Sequence, residues 1–122
     1  MILVDTSVWV NHLRVSDPLL GSLLAQNRVV VHPWIVGEIA CGSFVKRSAV
    51  VESLQSLPQL GPASEEEVLF FVEKHHAFGK GIGYVDAHLL TSAVIDNCKI
   101  WTTDKRMALI ATQLNLCYRL QQ

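Results

Sequence analysis

Short apolar, β-branched runs alternate along this chain with longer stretches of helical periodicity, and that alternation constrains the fold more than any other feature. MILV at residues 1–4, RVVVH at 28–32 and KIWT at 99–102 read as strands, with further short strands near residues 59–60 and in CYRL at 117–120. Helical stretches separate them. Strands joined through helices pair in parallel, so the pattern predicts an α/β fold with a central parallel sheet. The 122 residues are expected to form a single domain, residues 1–122, long enough to bury about two thirds of the surface exposed by the unfolded chain.

The helix boundaries are marked locally. Asp5, Thr6 and Ser7 supply N-cap chemistry for a helix holding Val8, Trp9 and Leu13. Asp17 caps a helix from Pro18 to about residue 26, and Pro33 opens another that carries WIVGEIACG. In that helix Trp34, Ile35, Ile39 and Ala40 are expected to face inward, which leaves Glu38 as an acid on a largely apolar element. A helix is expected over residues 46–57. Ser64 and Glu67 make a capping box for a helix running to about residue 78, with Val68, Leu69, Phe71 and Val72 as core positions. The turn GKGIG then leads into the helix YVDAHLLTSAVIDN, and the last helix begins near Lys105.

Several function classes are disfavoured. No apolar run approaches the roughly 18 residues of a membrane span, because Asp5, Asn11, His32 and Glu38 interrupt the richest stretches. MILV lacks a basic region before it and a small-residue cleavage site after it, so it is read as a strand rather than a signal peptide. Cys41, Cys98 and Cys117 are an odd set without C-x-x-C spacing, read as buried thiols of a reducing cytoplasm and not as a disulfide framework or zinc site. A net charge of −1 gives no overall attraction to nucleic acid, so RNA binding would need local basic patches and bound cations. The hydrophobic fraction of 50% is high for a small domain and points to apolar surface that meets another protein.

In an open parallel sheet ligands bind beyond the carboxyl ends of the strands, where the strand order reverses. Asp5 and Asp104 each follow a strand. If those strands are neighbours at the centre of the sheet, the two acids face one crevice, with Asp86 joining from the preceding helix and Glu38 from the helix after the second strand. Converging carboxylates repel one another and call for a cation, and hard oxygen ligands without ordered His or Cys suit one or two Mg²⁺ or Mn²⁺ ions. Such ions assist phosphodiester hydrolysis. Asp5 is then the central ligand, Asp86 and Asp104 further ligands directly or through water, and Glu38 a ligand or the orienter of the attacking water.

Four segments in order, ILVDTSVW, WIVGEIACG, GIGYVDAHLLTSAVI and IWTTDKRM, resemble the PIN-domain nucleases, in particular the VapC-type toxins of prokaryotic toxin–antitoxin pairs. The resemblance spans essentially the whole chain. It implies a PIN-like three-layer fold with a parallel sheet of order 3-2-1-4-5, Mg²⁺- or Mn²⁺-dependent endoribonuclease activity, homodimerisation and inhibition by a cognate antitoxin. By matching motif positions Asp5, Glu38, Asp86 and Asp104 form the acidic set. Thr6 and Thr102 match hydroxyl positions beside the first and last acids, where they are expected to hydrogen-bond Asp5 and Asp104, with Ser7 a weaker candidate for the same task. WTTDKRM departs from the family pattern in lacking the aromatic that often follows the last acid.

Each acid read singly has a blander role: Asp5 as an N-cap, Asp86 and Asp104 as complements to helix dipoles, Glu38 as a solvated side chain. His75 and His76 sit at a helix end, and His88, two residues past Asp86, points away from it. GKGIG is neither a dinucleotide fingerprint nor a P-loop. It is a turn first, whose amides and Lys80 are candidate phosphate contacts, as are Lys105 and Arg106 and, more weakly, Lys46 and Arg47. Trp9, Trp34 and Trp101 lie in apolar segments and read as core or interface residues. Two competing functions are a catalytically silent RNA- or protein-binding module and an aspartyl-phosphate phosphatase. The second is weakened by Ser7, which stands where phosphatases of that type place a second Asp.

Overall fold

The expected alternation folds around a single central strand. The computed structural model describes residues 1–118. β1 (Ile2–Val4) pairs in parallel with β2 (Val29–Val30) on one side and β3 (Lys99–Trp101) on the other, with Leu3 opposite both Val30 and Ile100. α1 (Thr6–Val15) and α2 (Pro18–Ala25) connect β1 to β2. α3 (Pro33–Ala40), α4 (Arg47–Ser56), α5 (Glu65–Lys74) and α6 (Tyr84–Asp96) lead from β2 to β3, and α7 (Lys105–Gln113) follows. Successive strand side chains point to opposite faces, and Ile2, Leu3 and Val4 are all at most 1% exposed, so both faces of the sheet are covered. Burial of each such side chain is worth about 1.5–3 kcal/mol relative to exposure.

The order of five expected from the resemblance, 3-2-1-4-5, is not realised as five strands: the sheet has three, in the order β2-β1-β3. On the outer sides stand single parallel bridges, Val31 with Gln59 and Ile100 with Cys117. Val31 donates to Pro58 O (2.9 Å) and accepts from Leu60 N–H (2.8 Å), but Pro58 and Pro62 bracket this pairing and lack the N–H groups that would extend it. On the other edge Tyr118 N–H reaches Ile100 O at 2.8 Å, and the rest of the expected last strand, Arg119 and Leu120, lies outside the described residues.

Local chemistry sets the helix ends. Asp17 accepts from the N–H groups of Leu19 and Leu20, and Ser64 and Glu67 form the full capping box. α5 stops at Lys74, short of residue 78, because His76 adopts a positive φ of 52°. On α5 Val68 and Phe71 are buried, but Leu69 is 54% exposed and so is not core. α3 buries Ile35 and Ile39 and only half-buries Trp34 and Ala40. α6 is buried continuously from Ala87 to Ala93 and ends at Asn97 in the left-handed conformation, which turns the chain into β3. The three cysteines are not uniformly buried, since Cys41 is exposed beyond the end of α3. Among the described residues no helix is long and apolar enough to cross a membrane.

Candidate active site

The adjacency of β1 and β3 brings their ends together. Asp5 N–H donates to Trp101 O at 2.9 Å, so the residues that follow the two strands, Asp5 with Thr6 and Ser7 on one side and Thr102 with Asp104 on the other, emerge side by side. Asp5 stands at the N-cap of α1, yet its side chain makes no cap hydrogen bond. It is 7% exposed, and its Oδ2 accepts from Thr102 Oγ1 at 2.7 Å and Ser7 Oγ at 2.9 Å. A buried carboxylate held by two side-chain hydroxyls is fixed in orientation without being neutralised.

Asp104 is exposed and does cap its helix: Oδ1 accepts from Arg106 N–H at 2.9 Å and Met107 N–H at 3.2 Å. Thr102 links the two junctions, because its hydroxyl donates to Asp5 while accepting from the Asp104 N–H at 3.0 Å. Asp86, in the first turn of α6, accepts from Gly83 N–H at 3.2 Å through Oδ2. Glu38 projects from the exposed side of α3 and accepts the Thr6 hydroxyl through Oε1 at 2.7 Å.

Of the two expected threonine partnerships, that of Thr102 with Asp5 and Asp104 is present and that of Thr6 is corrected. Thr6 supports Glu38 rather than Asp5, because it begins α1 about 100° around the helix from its neighbours and α1 packs on α3. Thr102 reaches the carboxylate of Asp5 and only the main chain of Asp104, whose own carboxylate is turned to the helix amides. Ser7, the weaker candidate in the sequence, is a direct donor to Asp5, and it also accepts from Thr103 N–H at 3.2 Å. The Asp-x-Ser spacing was the signal for it, whereas nothing local announced the contact between Thr6 and Glu38, 32 positions apart.

Electrostatics tie the four acids together. Burial raises the Asp86 carboxyl above its ordinary range. The Gly83 amide lowers it, and Asp5, Asp104 and Glu38 each raise it further. Every acid also follows one pattern: a single oxygen is committed to protein donors (Asp5 Oδ2, Glu38 Oε1, Asp86 Oδ2, Asp104 Oδ1), and the other accepts no hydrogen bond among the described residues. The donor set is all oxygen, which fits Mg²⁺ or Mn²⁺. Among the described residues no three His, Cys, Asp or Glu side chains are gathered closely enough to hold an ion as they stand.

The helices carrying Glu38 and Asp86 are bridged from behind by His32. It caps α3, accepting Trp34 N–H on Nδ1 at 3.0 Å, so the proton is on Nε2, which faces Ser92 Oγ of α6 at 3.2 Å. His32 is fully buried, and burial, with a smaller contribution from His88, lowers its pKa to about 4. His88 turns away from the acids to stack on Trp34, ring centroids 3.9 Å apart, as its spacing from Asp86 predicts. His75 packs on Phe71. Lys80, Lys105 and Arg106 are exposed, the first in the turn before α6 and the others in the first turn of α7.

No family model matches the chain. It is 43% identical over 108 residues to the protein named Ribonuclease VapC32 in two strains of Mycobacterium tuberculosis, a match covering 88% of this chain and 87% of that protein. Among solved structures, that of PAE2754 from Pyrobaculum aerophilum superposes with a TM-score of 0.63, covering 89% of this chain and 83% of that one at 15% identity, a likeness of fold alone.

Proposed function

The chain belongs to the VapC family of PIN-domain ribonucleases, and on that premise we propose that it hydrolyses RNA phosphodiester bonds with a divalent cation held by Asp5, Asp86, Asp104 and Glu38. The observation that carries the site assignment is the shared pattern of the four acids, each with one oxygen held by the protein and one uncommitted among the described residues, around the raised carboxyl of Asp86. A bound Mg²⁺ or Mn²⁺ supplies an acidified water and offsets negative charge developing on the phosphate. The chain's own contribution is to orient the ligands. Thr102 and Ser7 hold Asp5, the α7 amides hold Asp104, Gly83 holds Asp86, and Thr6 holds Glu38 as a ligand or as the acceptor that aligns a water. Lys80 lies in the turn that leads into the helix of Asp86, Lys105 and Arg106 begin the helix that Asp104 caps, and these three are the candidate phosphate contacts.

Membership of a toxin family implies an RNA substrate and an antitoxin partner, and a homodimer is part of the same reading. Exposed apolar surface supports protein partners. Phe70, Val94 and Ile95 line a groove of about 330 Å³ between α5 and α6. Trp9, Leu13, Leu24 and Val50 line another of about 440 Å³, and the buried indole N–H of Trp9 has no acceptor among the described residues.

The test is cleavage of a panel of structured RNAs in Mg²⁺, Mn²⁺ or EDTA by the wild type and by Asp5→Asn. Metal-dependent cleavage should fall in the variant by more than the ~10–100-fold that loss of a supporting hydrogen bond costs. Equal cleavage by both proteins, or cleavage undiminished in EDTA, overturns the site. A chain that binds RNA without cleaving it under any of these conditions is instead the silent binding module.

A further inference from the structure

We propose that Arg106 is the residue that grips an RNA phosphate next to the acid cluster, and that Gly81 is the positioning residue that seats it. The inference rests on the ribonuclease reading above, singles out Arg106 among its candidate phosphate contacts, and gives Gly81 of the GKGIG turn a role that reading leaves unassigned.

Gly81 has a φ of +83°, and a Cβ built on it would stand 2.7 Å from Arg106 Cδ, 2.9 Å from Nη1 and 3.0 Å from Nε. The arginine side chain therefore lies across the bare α-carbon of the turn, in space that any other residue would fill. Both ends of this contact are tied to the acids. The Arg106 N–H is held by Asp104 Oδ1 at 2.9 Å, and Gly83, two positions beyond Gly81, gives its N–H to Asp86 Oδ2 at 3.2 Å. The arginine thus springs from the junction that presents Asp104 and lies against the turn that leads to Asp86.

The guanidinium is uncommitted among the described residues. The Arg106 side chain makes no hydrogen bond and no ion pair with any of them, although its own backbone N–H is held by the carboxylate of Asp104. Arg106 is exposed, so its donors face solvent. A planar fork of five N–H donors, pre-positioned and unpaired, matches the oxygens of a phosphodiester in a way that a flexible ammonium does not. Lys80 and Lys105 have no comparable seat among the described residues. A guanidinium here also counters the repulsion that a carboxylate cluster exerts on an approaching polyanion.

The readout is KM and kcat for Mg²⁺-supported cleavage of a short single-stranded RNA over a range of KCl concentrations. Arg106→Ala should raise KM about tenfold with a much smaller change in kcat, and the slope of log KM against log salt should fall by about 0.7, the contribution of one phosphate contact on a single strand. Arg106→Lys should recover the slope but only part of the KM. Gly81→Asn, chosen because Asn tolerates positive φ, refills the seat at unchanged net charge. It should raise KM in the wild-type background and add nothing when Arg106 is already Ala. A wild-type KM and salt slope in an Arg106→Ala protein that still cleaves would overturn the role of Arg106. Equal effects of Gly81→Asn in both backgrounds would overturn the seating by Gly81, and if Gly81→Asn fails to fold, Gly81→Ala in the same two backgrounds decides it by the same comparison. Absence of metal-dependent cleavage in the wild type itself overturns the ribonuclease reading and this inference with it.

Discussion

Asp5 and Asp104 occupy equivalent places, each at the N-cap of the helix that follows one of two neighbouring parallel strands, yet only Asp104 caps its helix. Asp104 is exposed and its Oδ1 accepts from two backbone amides. Asp5 is buried, ignores the amides of α1, and takes both its hydrogen bonds from side-chain hydroxyls, one of them 97 positions away in sequence. The difference lies in what surrounds each junction. β1 is central and Asp5 is covered by the Thr102 side, whereas Asp104 begins a helix whose first turn lies open to solvent. The same local grammar therefore gives one acid whose position depends on tertiary contacts and one whose position depends on its own helix.

Paired substitutions can break that comparison. The largest effect is expected on cleavage from Asp5→Asn and Asp104→Asn, each beyond the ~100-fold upper end for a supporting bond. The two sites should then part on stability. Asn caps a helix about as well as Asp, so Asp104→Asn should unfold in urea much like wild type, while Asp104→Ala should lose about 1 kcal/mol. Near-wild-type cleavage by Asp104→Asn would reduce that residue to a cap.

A smaller effect should come from the hydroxyls. Thr102→Val removes the 2.7 Å donor to Asp5 and the acceptor for Asp104 N–H together, and should lower Mn²⁺ affinity, measured by calorimetry, by ~10–100-fold. Ser7→Ala removes the 2.9 Å donor to Asp5 and the acceptor for Thr103 N–H and should lower Mn²⁺ affinity less. A larger loss for Ser7→Ala would mean that Asp5 is held chiefly by its own helix, as Asp104 is, and the contrast between the junctions would fail.

The smallest effect at neutral pH is expected at the third strand-to-helix junction, where His32 stands in place of an acid. Its imidazole titrates near 6.5 when unfolded and at about 4 when folded, so the unfolded chain binds the extra proton first. The stability contributed by a neutral His32 is present above about pH 6.5 and is lost as pH falls from there toward 4. His88, whose pKa is also lowered, chiefly by burial, adds in the same sense. His32→Asn keeps a capping side chain on α3 and should flatten, without abolishing, the fall in urea midpoint over that range. An unchanged pH profile would show that His32 does not titrate as a buried, Ser92-linked imidazole.

Much of this was legible in the chain. The strands showed as β-branched runs, and Asp17, Ser64 and Glu67 marked their helix starts, because caps and turns depend on residues only a few positions apart. The four acids were legible as an ordered set, Asp5 and Asp104 after strands, Asp86 at a helix start and Glu38 within an apolar helix. Less legible were the edges of the sheet, where Pro58 and Pro62 reduce the expected outer pairing to one bridge. Leu69, apolar and at a helical spacing, was read as core but faces solvent, because helical periodicity defines a stripe without stating which neighbours will cover its margin.

Sequence by itself determined the α/β class and the places of Asp5, Glu38, Asp86 and Asp104 along it, since strand and helix are set by residue type and short spacing. Tertiary structure alone decided which hydroxyl serves which acid, that Asp5 is buried while Asp104 is not, and that Arg106 rests on Gly81. These are contacts between segments from about 25 to nearly 100 positions apart, and their partners are chosen by how β1, β3 and the helices pack, not by any pattern within one segment.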